Sequence, residues 1–235
     1  MIPEPRFAIY LAPEPHEALW QFGSAWLGYD AETRACPKHL ALPGLSPETI
    51  REATAHPRLY GLHITLKAPF RLAEGLSVAE LEQAVAQLAQ RHAAFGPVPL
   101  ALEARKAGEG QVFLCLAPSE RSAPLHALEA DAVVALDRFR APLTTAEIAR
   151  RKPERLQRKE RAYLDAHGYP YVLDAYRPHI SLTGPIPADS PIHAALADHL
   201  AQDATLTSWV CRSVLLFEQP EAGARFHIRQ RFALG

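Results

Sequence analysis

Cysteine is scarce in this chain. Cys36, Cys115 and Cys211 are the only three in 235 residues. They are widely spaced, odd in number and free of any CxxC pair, which argues against a disulfide framework and against a zinc site. Net charge is scarce too. A formal value of −1 gives no global pull on a polyanion, so extended nucleic acid is not implied, while a local basic groove is left open. No apolar run approaches the ~18 continuous residues of a membrane span, and Met1 to Pro5 carries no basic stretch leading into an apolar one. These absences point to a cytoplasmic protein with reduced thiols and no membrane contact. No HExxH or comparable short-spaced ligand set occurs, so neither a metal nor another cofactor is expected. The 21 prolines are scattered as punctuation and form no low-complexity run.

What is present is a seven-residue pattern that occurs twice. Tyr60-Gly61-Leu62-His63-Ile64-Thr65-Leu66 returns as Tyr176-Arg177-Pro178-His179-Ile180-Ser181-Leu182, with a hydroxyl residue two places after each histidine. Each histidine lies in an apolar, β-branched run that reads as strand. Alternation then places His63, Thr65 and Lys67 on one strand face, and Arg177, His179, Ser181 and Thr183 on another. Two such strands side by side would gather two imidazoles, two hydroxyls and cations in one small volume. Tyr60 and Tyr176 stand an odd number of positions from the histidines, which puts them on the opposite face, in packing or positioning roles around a substrate.

The flanking sequence reads as alternating strands and helices. Strands are predicted over 6–12, 60–67, 98–104, 112–116, 177–183, 209–217 and 224–232. Helices are predicted around Leu19 to Leu27, after the Ser77/Glu80 capping box, around Leu125 to Leu136, through 144–167 with a restart at Pro153, and after Pro191. Strand pairs joined by short turns indicate antiparallel sheets and an α+β fold. Since each half contributes a His strand, a helix and a strand pair, the natural expectation is one bilobal, internally duplicated domain over 1–235. It would have two mainly antiparallel sheets, flanked by helices, around a central cleft. A monomer is expected.

The chemistry suited to this set is cleavage of a phosphate ester. Two groups with ordinary pKa values of ~6.5 can divide the work, one taking a proton from the nucleophile and the other giving one to the leaving oxygen. Thr65 and Ser181 could hold phosphate oxygens, and Lys67 or Arg177 could offset the charge that develops. The basic segment Arg150 to Arg161 is interleaved with Glu147, Glu154 and Glu160 and reads best as a solvated helix face.

At these residues the chain resembles the 2H phosphoesterase superfamily, through His63-Ile64-Thr65-Leu66 and His179-Ile180-Ser181-Leu182. More narrowly, it looks like the DUF1045 family found with bacterial phosphonate-degradation genes. That likeness runs through Ala8 to Pro13, Leu19-Trp20, Phe22 to Ser24, Trp26 to Gly28, Tyr60-Gly61, Thr65 to Phe70, Gly168 to Val172 and Leu182 to Gly184. It departs slightly where Ser181 stands in place of an expected threonine, which keeps the hydroxyl. The resemblance implies metal-independent opening of a small cyclic phosphodiester, of the phosphoribosyl or nucleotide kind, in phosphonate catabolism, with His63 and His179 as acid and base. RNA 2′,3′-cyclic phosphate processing or ligation, and a phosphometabolite-binding module without turnover, are the alternatives.

Overall fold

The protein is described by a computed structural model that covers residues 4–235. Its core is a nine-stranded sheet in which every pairing is antiparallel. In chain order the strands are β1 (Arg6–Leu11), β2 (Ile64–Arg71), β3 (Phe95–Gly108), β4 (Gln111–Pro118), β5 (Ile180–Ser181), β6 (Ile186–Pro187), β7 (Ser208–Cys211), β8 (Ser213–Gln219) and β9 (His227–Ala233). They are ordered β7-β3-β4-β5-β2-β1-β8-β9, with β6 paired to β4. The α+β expectation holds. The expectation of two sheets in two lobes does not, because the two His segments pair with each other directly, Ile64 opposite Ile180, and weld both halves into one sheet.

That weld sits at the middle. On one side lie β4, β3 and β7; on the other lie β1, β8 and β9. The run 209–217, predicted as one strand, is two strands parted by Arg212. The first pairs with β3 and the second with β1, from opposite ends of the order. Successive Cα atoms are only ~3.8 Å apart, so the two ends of the sheet must curl toward each other.

The helices form where the caps and apolar spacing direct. Helix α1 (Ala18–Leu27) buries Leu19, Trp20, Phe22, Trp26 and Leu27 and stops at Gly28, whose φ of 65° suits glycine. Ser46 caps the short α2 (Pro47–Ala53). Ser77 and Glu80 form the reciprocal cap of α3 (Val78–Gln90), which buries Leu81, Val85 and Leu88. Next come α4 (Ala123–Ala135) and the basic region, which is broken into α5 (Thr145–Arg150), a 3₁₀ turn at Pro153–Arg155 and α6 (Arg158–His167). Pro153 is the physical reason for the break. Helix α7 (Ile192–Leu200) completes the set. Trp26 donates its indole N–H to the Leu182 carbonyl at 2.8 Å, so α1 is pinned to the second His segment.

Two strand predictions were misplaced in detail. The first His strand begins at Ile64, not Tyr60, because Pro57–Leu59 is a 3₁₀ turn and Gly61 is left-handed with φ 75°. The second shrinks to Ile180–Ser181. Pro178 has no N–H for the ladder, and beyond Ser181 both the Leu182 and Thr183 amides turn to one acceptor, the Leu114 carbonyl.

Candidate active site

Register decides what meets at the sheet centre. Ile64 and Ile180 pair and both point into the core, so their neighbours in sequence point to the other face. Continuing that antiparallel register puts Thr65 beside His179 and His63 beside Ser181. The same face continues outward. Tyr10 pairs with Thr65 on β1; Cys115 pairs with Ser181 on β4; Glu103 pairs with Cys115 and Arg105 with Phe113 on β3. All four residues of the two His-x-hydroxyl motifs therefore share one face, as the sequence indicated.

The two imidazoles are held alike. His63 Nδ1 lies 2.9 Å from the Gly61 carbonyl and His179 Nδ1 lies 2.8 Å from the Arg177 carbonyl. A carbonyl only accepts, so Nδ1 carries the hydrogen in both rings and Nε2 keeps the lone pair of the neutral form. Among the described residues neither Nε2 has a partner, nor do the Thr65 and Ser181 hydroxyls. The reactive edges are left for a ligand.

Their surroundings differ. His63 stacks on Tyr10 with ring centroids 3.8 Å apart and an interplanar angle of 22°, and Phe217 and Tyr60 also stand near it. Burial pushes its pKa down to about 4, opposed by the Gly61 carbonyl and aided by His179. His179 is also lowered by burial. Its carbonyl partner and Glu103 act upward, and Arg105 acts downward. Its ring meets Phe113 at 5.6 Å.

A cavity of about 740 Å³ opens beside this face. Thr65, Phe113 and His179 form its floor, Arg105 and Lys106 one wall, and Tyr169, Tyr171, Tyr176 and Arg177 another. Such a volume suits a small molecule. The second wall is tied down at several points. The Tyr176 hydroxyl donates to the Thr65 carbonyl at 2.8 Å, Arg177 bonds Glu160 at 2.9 Å, and the Arg177 guanidinium lies 4.8 Å from the Tyr171 ring centre. Glu129 of α4, fully buried, accepts from the Leu173 amide. Leu173 has φ 58°, a left-handed strain of order 1–3 kcal/mol for a non-glycine, and this bond helps to hold it. Burial raises the Glu129 pKa to about 8, with the Leu173 amide and Lys67 pulling the other way.

Of the other residues expected at the site, Arg177 and Tyr176 line the cavity. Tyr60 instead stacks on Phe226 at 5.3 Å, 6.1 Å from His63. Lys67 is only 3% exposed and commits its ammonium to Asp137 at 2.8 Å and the Val133 carbonyl at 3.3 Å. Its share in phosphate binding is not supported by this placement. The alternation that put it with His63 and Thr65 fails because the β1–β2 ladder slips between Tyr10/Thr65 and Ile9/Lys67. Sequence reasoning missed Tyr10, Arg105, Phe113, Tyr169 and Tyr171. A register that reached across β1, β3 and β4 would have found the first three. The basic segment is mostly solvated and paired, as with Arg161 and Asp165, but Arg151 lies 4.9 Å over the Tyr169 ring.

A family of proteins of unknown function, DUF1045, matches residues 65–227, more than half of the chain. The chain belongs to the DUF1045 family. It is also similar to two proteins named ribose 1,5-bisphosphate phosphokinase PhnN. The one from Laribacter hongkongensis (strain HLHK9) is 37% identical over 95% of this chain and 50% of its own length. The one from Janthinobacterium sp. (strain Marseille) is 33% identical over 80% of this chain and 40% of its own. This chain thus spans about half or less of the curated relatives it matches. Its sequence contains no GxxxxGK[ST] phosphate loop. Among solved structures it is similar to Escherichia coli LigT complexed with NADP+, at 16% identity and a TM-score of 0.46 over 99% of this chain and 98% of that one. LigT complexed with 3′-AMP gives 15% and 0.43 over the same shares. No described helix is long and apolar enough to cross a membrane, and no three His, Cys, Asp or Glu side chains among the described residues gather as metal ligands.

Proposed function

We propose that this DUF1045 protein is a phosphoesterase that opens a small cyclic phosphodiester by paired histidine acid–base catalysis. The observation that carries the reading is the meeting of the two His-x-hydroxyl segments on one sheet face, each ring fixed by its own backbone carbonyl with Nε2 left unbonded, and His179 and Thr65 lining the cavity beside that face. His63, the more desolvated ring, is the one held neutral. It serves as the base that takes a proton from water, and His179 as the acid that returns one to the leaving ring oxygen. Thr65 and Ser181 hold the phosphate, and Arg177 offsets charge at the rim. Water adds to phosphorus, the bond to one ester oxygen breaks, and that oxygen leaves as a hydroxyl bearing the proton from His179. The proton taken by His63 passes to solvent. No metal or other cofactor has a part in this scheme.

The substrate class is a sugar phosphate. The similar proteins are named for ribose 1,5-bisphosphate. Opening 5-phosphoribosyl 1,2-cyclic phosphate at O2 yields that compound, which supports a part in phosphonate catabolism; a cytoplasmic monomer belongs to the same proposal. The aromatic side chains of the cavity favour a second substrate of the same chemistry, a nucleoside 2′,3′-cyclic phosphate or an RNA end.

The test is phosphorus NMR of both cyclic phosphates incubated with the protein in chelator, beside His63→Ala and His179→Ala. Product from the wild type and none from either variant supports the esterase. Tight binding with no product from the wild type replaces it with a binding module.

A further inference from the structure

The cavity presents cations to its interior although the chain is nearly neutral. The whole protein carries a formal charge of −1, yet among the described residues the cavity lining holds Arg105, Lys106 and Arg177 and no carboxylate, while Glu103 and Glu160 pair with the two arginines from outside the lining. Arg177 belongs to the same segment as His179 and serves the reacting phosphate. Arg105 and Lys106 do not. They belong to β3, which is separated from β5 by β4, and strands lie ~4.8 Å apart, so their backbone is displaced from the histidine segment by about 10 Å. A single phosphate seated at His63 and His179 leaves these cations unused.

Their setting is that of a receptor. Arg105 shares the histidine face through its pairing with Phe113, and rests on the half-exposed Glu103 carboxylate at 2.8 Å. Lys106 would alternate to the opposite face of a regular strand. Lys106 stands at the last regular pair of the β3–β4 ladder, is exposed, and lines the same cavity with no ion-pair partner among the described residues. Between these cations and His179 lies the Phe113 ring, an apolar floor on which a sugar can rest.

Building on the esterase reading, we propose that Arg105 and Lys106 form a second phosphate subsite, so that the cavity selects cyclic phosphates bearing a separate phosphate monoester on the same small molecule. The sugar spans Phe113, the cyclic phosphate meets the two histidines, and the monoester takes Arg105 from Glu103 and gives Lys106 its counter-ion. Charge-assisted bonds of this kind are worth about 10–100-fold in affinity or kcat/KM.

The experiment compares 5-phosphoribosyl 1,2-cyclic phosphate with ribose 1,2-cyclic phosphate, which lacks only the monoester. It uses the wild type, Arg105→Gln/Lys106→Gln, and Lys38→Gln as a control for loss of an exposed charge elsewhere. The wild type should favour the doubly phosphorylated substrate by about 10–100-fold in kcat/KM, and that ratio should collapse toward one in the double variant while persisting in the control. No preference in the wild type, a ratio that survives the double substitution, or one that falls equally in the control overturns the subsite. If neither compound is turned over, the esterase reading fails, and calorimetry decides the subsite. Binding of ribose 1,5-bisphosphate tighter than ribose 1-phosphate, lost in the double variant only, supports it; equal binding overturns it.

Discussion

His63 and His179 are near twins in sequence and unlike in their surroundings. Both follow a carbonyl that fixes Nδ1, and both precede an isoleucine anchored in the core. What separates them comes from elsewhere in the chain. Tyr10, from β1, stacks on His63, whose burial pushes its pKa down to about 4, whereas His179 meets Phe113 and has Arg105 and Glu103 acting on it in opposite directions. A repeated motif thus supplies two equivalent groups, and the neighbouring strands hold one of them the more firmly in its neutral form.

The harshest test of that comparison removes either ring. His63→Ala and His179→Ala should each lower kcat for a cyclic phosphate by about 10²–10⁴-fold. Because the two act on one reaction, the double variant should be far from the product of the single losses. Additive losses would mean that the histidines work separately.

Proton dependence sharpens it next. A base must be neutral, so kcat/KM should rise through about pH 4 as His63 loses its proton; an acid must be protonated, so the rate should fall again through the His179 pKa, which lies below its ordinary value. The expected profile is a bell with its maximum on the acid side of neutrality. Tyr10→Ala, by letting water reach His63, should move the acid limb upward. An unmoved limb would show that Tyr10 does not set the asymmetry. The same shift bears on stability. The unfolded chain binds the His63 proton near pH 6.5 and the folded chain only near 4, so stability is full above 6.5 and is lost as pH falls toward 4, by about 3 kcal/mol. Denaturant midpoints across that window should slope less in His63→Phe.

Smaller effects separate positioning from packing. Tyr176→Phe removes one hydrogen bond to the Thr65 carbonyl, worth about 1 kcal/mol, and should cost roughly five-fold in kcat/KM. Lys67→Met should lower the melting temperature, since Asp137 loses a buried partner, while kcat/KM of the folded fraction stays near that of the wild type. A large rise in KM instead would return Lys67 to the phosphate.

These contrasts explain what could be read in advance. The apolar spacing and the capping pairs located α1, α3, α4 and α7, and the repeated motif located the four groups at the sheet centre, because each signal lies within a few residues. The single sheet could not be read that way. It depends on one pairing, Ile64 with Ile180, that local pattern cannot specify. Lys67 departs from the alternation for a related reason, since a slip in a ladder changes which face a residue serves. The tyrosines at 169 and 171 line the cavity from a segment without regular structure, for which alternation offers no rule, and the left-handed Leu173 beside it is held by the distant, buried Glu129.

The joint between the halves also bears on how the protein comes to be active. Tyr176 and Thr65, which meet across it, stand 111 positions apart in the chain. Closing so long a loop is a costly, slow event compared with forming the helices and hairpins on either side. A partly folded chain can therefore possess most of its helices, the β3–β4 hairpin and one imidazole, and still have no reaction centre. During refolding, activity should return late, after the helical signal has recovered, once this joint and the still longer-range pairing of β1 with β8 have closed.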